Sequence, residues 1–398
     1  MLISITKGLA TTIVRLINRL VLIPLLWLIE PFWKIRITHI NTGRIGHLTA
    51  NTSFYLARRE MHGPEPRTYR FFYGFNPCNA TLYRLWTQFL NIVDSKFLSR
   101  WYNMDNVFLE ETPYFKGLPF FSNEFEEAQH APALKLPPED EDRGRQLCEE
   151  MGIGENDWFM CFQARDAAYH RKRMGIDETK PHRNANIETY IDAARYVVEK
   201  GGVAIRVGQD VDAELPDLGT DRIVDYSTHH RSDFGDIYLL AKAEFVLATS
   251  GIGSVPPLFH KSVVLVNYLP PRPWPVRRDS LCVPKLLRDR DSGQLITFKE
   301  MANLGMFEYH THTTSFRWDE PTTYGNAGLD PVDNEPDDLL GVTKDIIDRM
   351  EGLSVDPEAI ELQEMFTDRI MGNLPGYREY GPRLAPRFAL KYRHLIEN

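Results

Sequence analysis

Cysteine is scarce in this chain: four residues in 398, Cys78, Cys148, Cys161 and Cys282, with no C-x-x-C pair among them. That spacing excludes a zinc knot, a dithiol redox motif and a disulfide-dense secreted fold, and the four read as reduced packing residues. Basic charge is also in short supply. Lys and Arg number 46 against 55 Asp and Glu, and the net charge of −9 argues against a protein that wraps duplex nucleic acid. No H-E-x-x-H, G-x-S-x-G or G-K-[ST] pattern occurs, so zinc-protease, serine-hydrolase and P-loop chemistries lose their signatures. Internal repeats and low-complexity blocks are missing too. The longest uninterrupted apolar run, Leu20 to Ile29, is ten residues and contains Pro24. As a helix such a run is too short for a hydrocarbon layer of roughly 30 Å.

What is present is a globular balance of 43% hydrophobic and 25% charged residues, on a length that suggests two domains. The amino terminus stands apart. From Thr12 to Trp33, Ile13, Leu16, Ile17, Leu20, Val21, Pro24 and Trp27 share one side of a helix, with Arg15, Asn18 and Arg19 opposite. This is the pattern of an interfacial amphipathic helix, and Trp27 and Trp33 suit a headgroup layer. Residues 1–33 therefore read as a peripheral anchor at the cytoplasmic face of the inner membrane. A shallow re-entrant or full membrane anchor and a plain core helix are the alternatives. No small-residue cleavage site follows, which speaks against a signal peptide.

Strands and helices alternate from there on. KIRITHI (34–40) reads as a strand, NTGRIG (41–46) as a glycine turn and 48–57 as a helix; 68–75 is a second strand and 81–93 a second helix. The acidic, proline-containing segment 131–145 reads as an interdomain linker. Beyond it, strands at 158–163, 203–207, 222–225, 245–248 and 263–267 are separated by helices at 187–200 and 234–243 and by a short helix start at 254–259. Apolar strand runs alternating with helices indicate parallel sheets covered on both faces. The expected fold class is α/β: two Rossmann-like domains, 34–145 and 146–335, with a ligand cleft between them. Residues 270–335 lack periodicity and read as long loops, and helices at 337–350 and 356–371 (domain 336–398) are candidates for packing back on the first domain.

Three loops carry candidate chemistry. In FVLATSGIGSVPPLF (245–259) a strand ends, Thr249, Ser250 and Gly251 turn, Gly253 permits close approach, and a helix begins near Ser254. Backbone N–H groups and hydroxyls at such a helix start suit a diphosphate, although the same sequence fits an ordinary βα turn. The sixth position of a G-x-G-x-x-G starting at Gly251 is Pro256, so no dinucleotide fingerprint is completed. Directly after strand 158–163, Arg165 is the first candidate for gripping phosphate, with an Asp166 ion pair as the plainer reading. Tyr169, His170, Arg171, Lys172 and Arg173 follow as a basic loop. Arg206, inside an apolar strand, needs an anion: a ligand phosphate, or a carboxylate such as Asp225 or Asp236. In the first domain Asn41, Gly43, Arg44 and Gly46 form an acceptor-side turn. His47 behind it is a candidate general base, as is Asp166.

ITHINTGRIGHL, RNANIETYIDAARYVVEKGGVAIRVGQ, SDFGDIYLLAKAEFVLATSGIGSVP and VVLVNYLPP together resemble a family of bacterial glycosyltransferases of surface-polysaccharide clusters. The resemblance spans about Ile35 to Asn267. The carboxyl-terminal half looks similar to the GT-B donor domain of the O-fucosyltransferase and α1,6-fucosyltransferase group, where a His-x-Arg motif holds the donor diphosphate. Gln163-Ala164-Arg165 matches its arginine, with Gln163 in place of the histidine, and the 250–254 loop matches the second phosphate contact in kind. The resemblance implies a GT-B-like enzyme without metal or other cofactor. It would move a hexosyl or deoxyhexosyl group, with inversion, from a nucleotide-diphosphate sugar to a glycan or lipid-linked acceptor. Arg165, Arg206, Ser250, Gly251, Gly253 and Ser254 would bind the donor. A non-nucleotide transferase, such as a pyruvyl transferase, and a non-catalytic sugar-nucleotide or glycan-binding module are the alternatives.

Overall fold

The computed structural model describes residues 2–118, 124–168, 171–172, 175, 181–249, 251–307 and 320–398. They fall into two compact units: residues 1–121 with 130–134, and residues 122–129 with 135–398.

The first unit opens with one continuous helical stretch: α-helix Leu2–Ile17, a π turn Asn18–Leu22, and α-helix Ile23–Ile29. Pro24 does not break it. A proline crowds the carbonyl four residues back, and here the coil is widened just upstream, where the Ile23 N–H donates to the Asn18 carbonyl five residues earlier. The expectation of a segment too short to cross a bilayer is thereby corrected, since Gly8–Ile29 is long and apolar enough to do so. The strands β1 (Lys34–His39), β2 (Thr68–Gly74) and β3 (Ile92–Asp94) then form a parallel sheet in that order. Helix Ile45–His62 links the first two and buries Asn51 and Thr52, the start of an N-x-[ST] tripeptide.

The helix expected over 81–93 stops early. Asn79 caps it by accepting the Leu82 N–H, and the α-helix Ala80–Leu85 tightens into a 3₁₀ turn, Trp86–Gln88. There the buried Trp86 donates to the Leu48 carbonyl at 3.0 Å. Ile92 and Val93, read as helix by spacing, are the β-branched start of β3.

The second unit is built on seven strands: β4 (Phe159–Gln163), β5 (Val203–Arg206), β6 (Ile223–Asp225), β7 (Phe245–Ala248), β8 (Val263–Tyr268), β9 (Leu281–Pro284) and, much later, β12 (Arg383–Leu384). All pairings are parallel and the order is β6-β5-β4-β7-β8-β9-β12. The chain therefore builds outward from β4 to β6, returns to the other side of β4, and continues outward from β7. Every residue of β7 and β8 is buried, as two-sided helical cover requires.

Three expectations are corrected in this unit. The 131–145 stretch is not an extended linker: helix Pro138–Glu150 starts inside it, with proline in the first turn and Glu139, Asp140 and Glu141 at its positive end. The 145/146 boundary accordingly falls within one compact unit. Residues 270–335 hold β9, helix Phe298–Asn303, helix Pro321–Asn326 and an antiparallel pair, β10 (Leu286–Asp289) with β11 (Leu329–Val332). The carboxyl-terminal helices complete this same unit. Helix Pro336–Met350 lies on helix Ile191–Glu199, and β12 extends the sheet from β9.

Candidate functional site at the switch point of the seven-stranded sheet

In a parallel sheet wound in both directions, the loops leaving the two central strands diverge and open a crevice at their carboxyl ends. Those strands are β4 and β7, paired with Gln163 opposite Ala248. The loop 163–166 and the loop 249–254 thus leave the same edge side by side. A hydrogen bond spans the switch point, from the Thr249 hydroxyl to Gln163 Oε1 at 2.9 Å, with Thr249 fully buried. Gln163, where the resembled group has histidine, holds the two loops together.

Arg165 does not pair with Asp166. Its guanidinium donates to Asn184 Oδ1, and its carbonyl accepts the Ala185 N–H at 2.9 Å. Asp166 accepts the Ala168 N–H at 2.9 Å through one oxygen and the Asp212 N–H at 3.0 Å through the other, so it orders two loops of the second unit. Arg171 meets Asp212, and Lys172 donates to the Val211 carbonyl at 3.0 Å. The rest of the basic loop expected at 169–173, namely Tyr169, His170 and Arg173, lies outside the described residues, as does Ser250.

A second cation that sequence reasoning missed belongs to this edge. Lys285, directly after β9, has 2% of its surface exposed and donates to Asp333 Oδ1 at 2.6 Å and to the Asn184 carbonyl. Burial pushes its ammonium below the ordinary lysine value; Asp333 opposes this and the nearby charge of Arg165 adds to it. Asp333 also accepts the Asn186 N–H at 3.2 Å. Among the described residues, Arg165, Lys285, Asn184 and Asp333 thus form one polar cluster. A buried lysine after a strand was the available signal, but Lys285 follows Leu281–Pro284 in a stretch whose strands the sequence hides among prolines and arginines.

The 249–254 loop differs from its expected form. No α-helix begins at Ser254. Two 3₁₀ turns, Ile252–Ser254 and Pro256–Phe259, replace it, and the Ser254 N–H and hydroxyl both donate to the Gly251 carbonyl at 3.1 and 2.6 Å. A helix macrodipole is therefore not available to an anion here. Gly251 sits at φ +97°, where a side chain is strained. Gly253 is a packing glycine: a Cβ would lie 3.3 Å from Ala248 Cβ and 3.5 Å from Trp274.

Arg206 is removed from the candidate set. It is buried on β5, paired with Asp225 on β6 at 3.1 Å, and donates to the Ala213 carbonyl at 2.6 Å. The internal carboxylate meets the anion requirement that a ligand was expected to fill. Asp236 instead binds Arg231 and the Tyr226 hydroxyl.

In the first unit, Asn41, Gly43, Arg44 and Gly46 leave the carboxyl end of β1, as expected. Asn41 Oδ1 accepts the Gly43 N–H, and Thr42 donates to the Phe75 carbonyl at 3.0 Å. The turn rests on Gly74, where a Cβ would meet Thr42 Cγ2 at 2.8 Å and the Tyr83 hydroxyl at 2.9 Å. His47 lies in the first turn of helix Ile45–His62, half-buried; burial, and then Arg44, push its imidazole below the ordinary histidine value. The neutral form that a proton acceptor requires is favoured. A second histidine missed from sequence, His39, ends β1 with its ring stacked on Tyr102 at 5.4 Å, and burial lowers its basicity as well.

No protein-family model matches the chain, and no curated protein matches it. Among solved structures it is similar to E. coli ADP-heptose lps heptosyltransferase II at 12% identity and TM-score 0.42, over 63% of this chain and 91% of that one. It is similar to a glycosyl transferase family 9 protein of Veillonella parvula at 13% and 0.43, over 63% and 87%. It is also similar to E. coli heptosyltransferase WaaC with ADP at 10% and 0.34, over 63% and 91%. The similarity to fucosyltransferases is not shown by these structures, and likenesses at this level assign neither family nor activity.

Proposed function

We propose that this chain is a glycosyltransferase of surface-polysaccharide synthesis that binds a nucleotide-diphosphate sugar on its second unit. The observation that carries the reading is the switch point itself: the Gln163–Thr249 bond joins the two central loops, and the Arg165–Lys285 cluster lies at the same edge. Ligands of open parallel sheets bind at such points, and an arginine and a lysine are the side chains that hold a phosphate group. Transfer to an acceptor hydroxyl breaks the bond between the sugar and the diphosphate. Arginine and lysine stabilise the negative charge gathering on the departing diphosphate, and a base takes the hydroxyl proton. His47 is the candidate base on the first unit. Inversion, independence from metal and a glycan or lipid-linked acceptor complete the reading, and rest on the sequence resemblance alone.

The test is a thermal-shift screen of the protein and its Arg165→Ala variant against UDP, GDP, CMP, ADP and dTDP, with EDTA and with Mg²⁺. A nucleotide at 100 times its Kd adds about 2.7 kcal/mol to stability. One nucleotide stabilising the parent and failing on the variant supports the reading and names the donor class. If no nucleotide binds and phosphoenolpyruvate stabilises instead, the reading is wrong and a pyruvyl-type transferase replaces it.

A further inference from the structure

The amino-terminal helix is not a free amphipathic helix with its polar side in water. Its polar side is bolted to the first unit. Asn18, completely buried, donates to Asp105 Oδ2 at 3.0 Å and accepts the Trp101 indole N–H at 2.9 Å. Arg19 donates to the same carboxylate at 2.8 Å and lies over the Phe108 ring at 3.9 Å. Val14, Asn18 and Leu26, at spacings of four and eight, are the buried stripe, and Leu26 packs with Tyr73, Tyr102 and Leu109. A cleavable leader would not share its side chains with the core of the mature protein.

This attachment turns the apolar side outward. Leu16, Leu20, Val21, Trp27, Leu28 and Phe32 are all more than half exposed, Leu20 and Phe32 by about 70%. From Leu20 to Ile29 no side chain other than the Trp27 indole can make a hydrogen bond. A protein partner reads a surface through a polar rim and paired hydrogen bonds, whereas acyl chains require neither. Helix Lys96–Asn103, tied to Asn18 through Trp101, adds the exposed Phe97, which lies against the Trp101 ring, and the exposed Lys96 and Arg100. An apolar strip edged with cations complements an anionic lipid leaflet. An open groove of about 440 Å³, lined by Ile23, Pro24, Trp27, Thr112, Pro113 and Tyr114, runs beneath the strip.

We infer that this face is a lipid-docking surface, with the helix lying in the plane of the interface rather than crossing the bilayer. The buried stripe from Val14 to Leu26 fixes the orientation, because a crossing helix would carry Asp105, Arg19 and the attached helices into hydrocarbon. The inference is independent of the glycosyltransferase reading.

Flotation of the full chain with phosphatidylethanolamine–phosphatidylglycerol vesicles tests it. The parent should float, and Leu20→Glu/Trp27→Glu should reduce the bound fraction about tenfold while melting within a few degrees of the parent, since both side chains are exposed. Lys96→Glu/Arg100→Glu should weaken binding to these vesicles but not to pure phosphatidylcholine. Fluorescence gained by Leu20→Trp in the Trp27→Phe background isolates the middle of the helix, whose quenching should be stronger with lipids brominated near the glycerol end than at the chain terminus. The opposite depth order would overturn the in-plane orientation. A parent that stays with the soluble fraction overturns the docking surface, as does a charge variant that floats unchanged. A parent that ignores vesicles but dimerises, with the charge variant monomeric, assigns the face to a second copy of the chain.

Discussion

At the scale of single residues, burial decides roles that residue type leaves open. Arg165 and Arg206 both stand at or near the end of an apolar strand. Arg206 meets a carboxylate on the neighbouring strand and is enclosed, whereas Arg165 leaves β4 and meets an amide oxygen and Lys285 across the site. The same reasoning isolates Asp236, which burial pushes up to about 6 despite Arg231 and Tyr226. Between about pH 4 and pH 6 the folded chain keeps a proton there that the unfolded chain has released, so this group's contribution to stability falls as pH rises through that window and is level above it. Asparagine at this position cannot titrate. The stability of Asp236→Asn relative to the parent should therefore improve by on the order of 2–3 kcal/mol between pH 4 and pH 6, measured by urea unfolding. A difference independent of pH would show that Asp236 is ionised throughout. Loss of Arg206 should be costly for another reason, since it leaves Asp225 buried and unpaired.

At the scale of elements, periodicity located most strands and several helices, and failed where a local device interrupts the period. The 3₁₀ turn at Trp86 ends one helix early, the π turn before Pro24 lets another continue, and 3₁₀ turns replace a third. Helix Pro138–Glu150 was hidden by its acidic, nearly apolar-free composition. Its packing shows in one residue: a Cβ on Gly144 would fall 1.9 Å from the ring of Tyr238, on helix Asp233–Lys242. Gly144→Ala gains helix propensity but must displace that ring, and a net loss on the order of 1–2 kcal/mol in chemical denaturation is expected. Adding Tyr238→Ala should remove the clash, so the double variant should lose less than the sum of the two singles. Additive losses would mean that the helices already stand apart.

At the scale of the whole molecule, the division into two units assigns Gln163, Arg165, Thr249, Lys285 and Asp333 to the second. A chain of residues 122–398 should fold and keep the nucleotide-dependent rise in melting temperature while losing vesicle binding, which depends on residues 1–121. If that fragment folds without responding to the nucleotide that stabilises the full chain, the donor site needs the first unit and its assignment here is incomplete.

The sequence by itself determined the α/β class, the parallel strands β1, β2 and β4 to β8, the turn after β1 and the two loops that flank the switch point. Each of these is written in local runs of apolar residues and in glycines and prolines whose backbone restrictions act within a few positions. Strand order, and with it the identity of the switch point, was decided only by tertiary structure. So were the burial of Lys285 beside Arg165, the withdrawal of Arg206, the enclosure of β12 from the far end of the chain, and the direction in which the amino-terminal helix faces. In that helix the residues on each side were legible, but which side meets protein depended on Asp105 and Trp101, more than eighty residues away. A buried Asn18 requires hydrogen-bond partners, and only the folded chain supplies them.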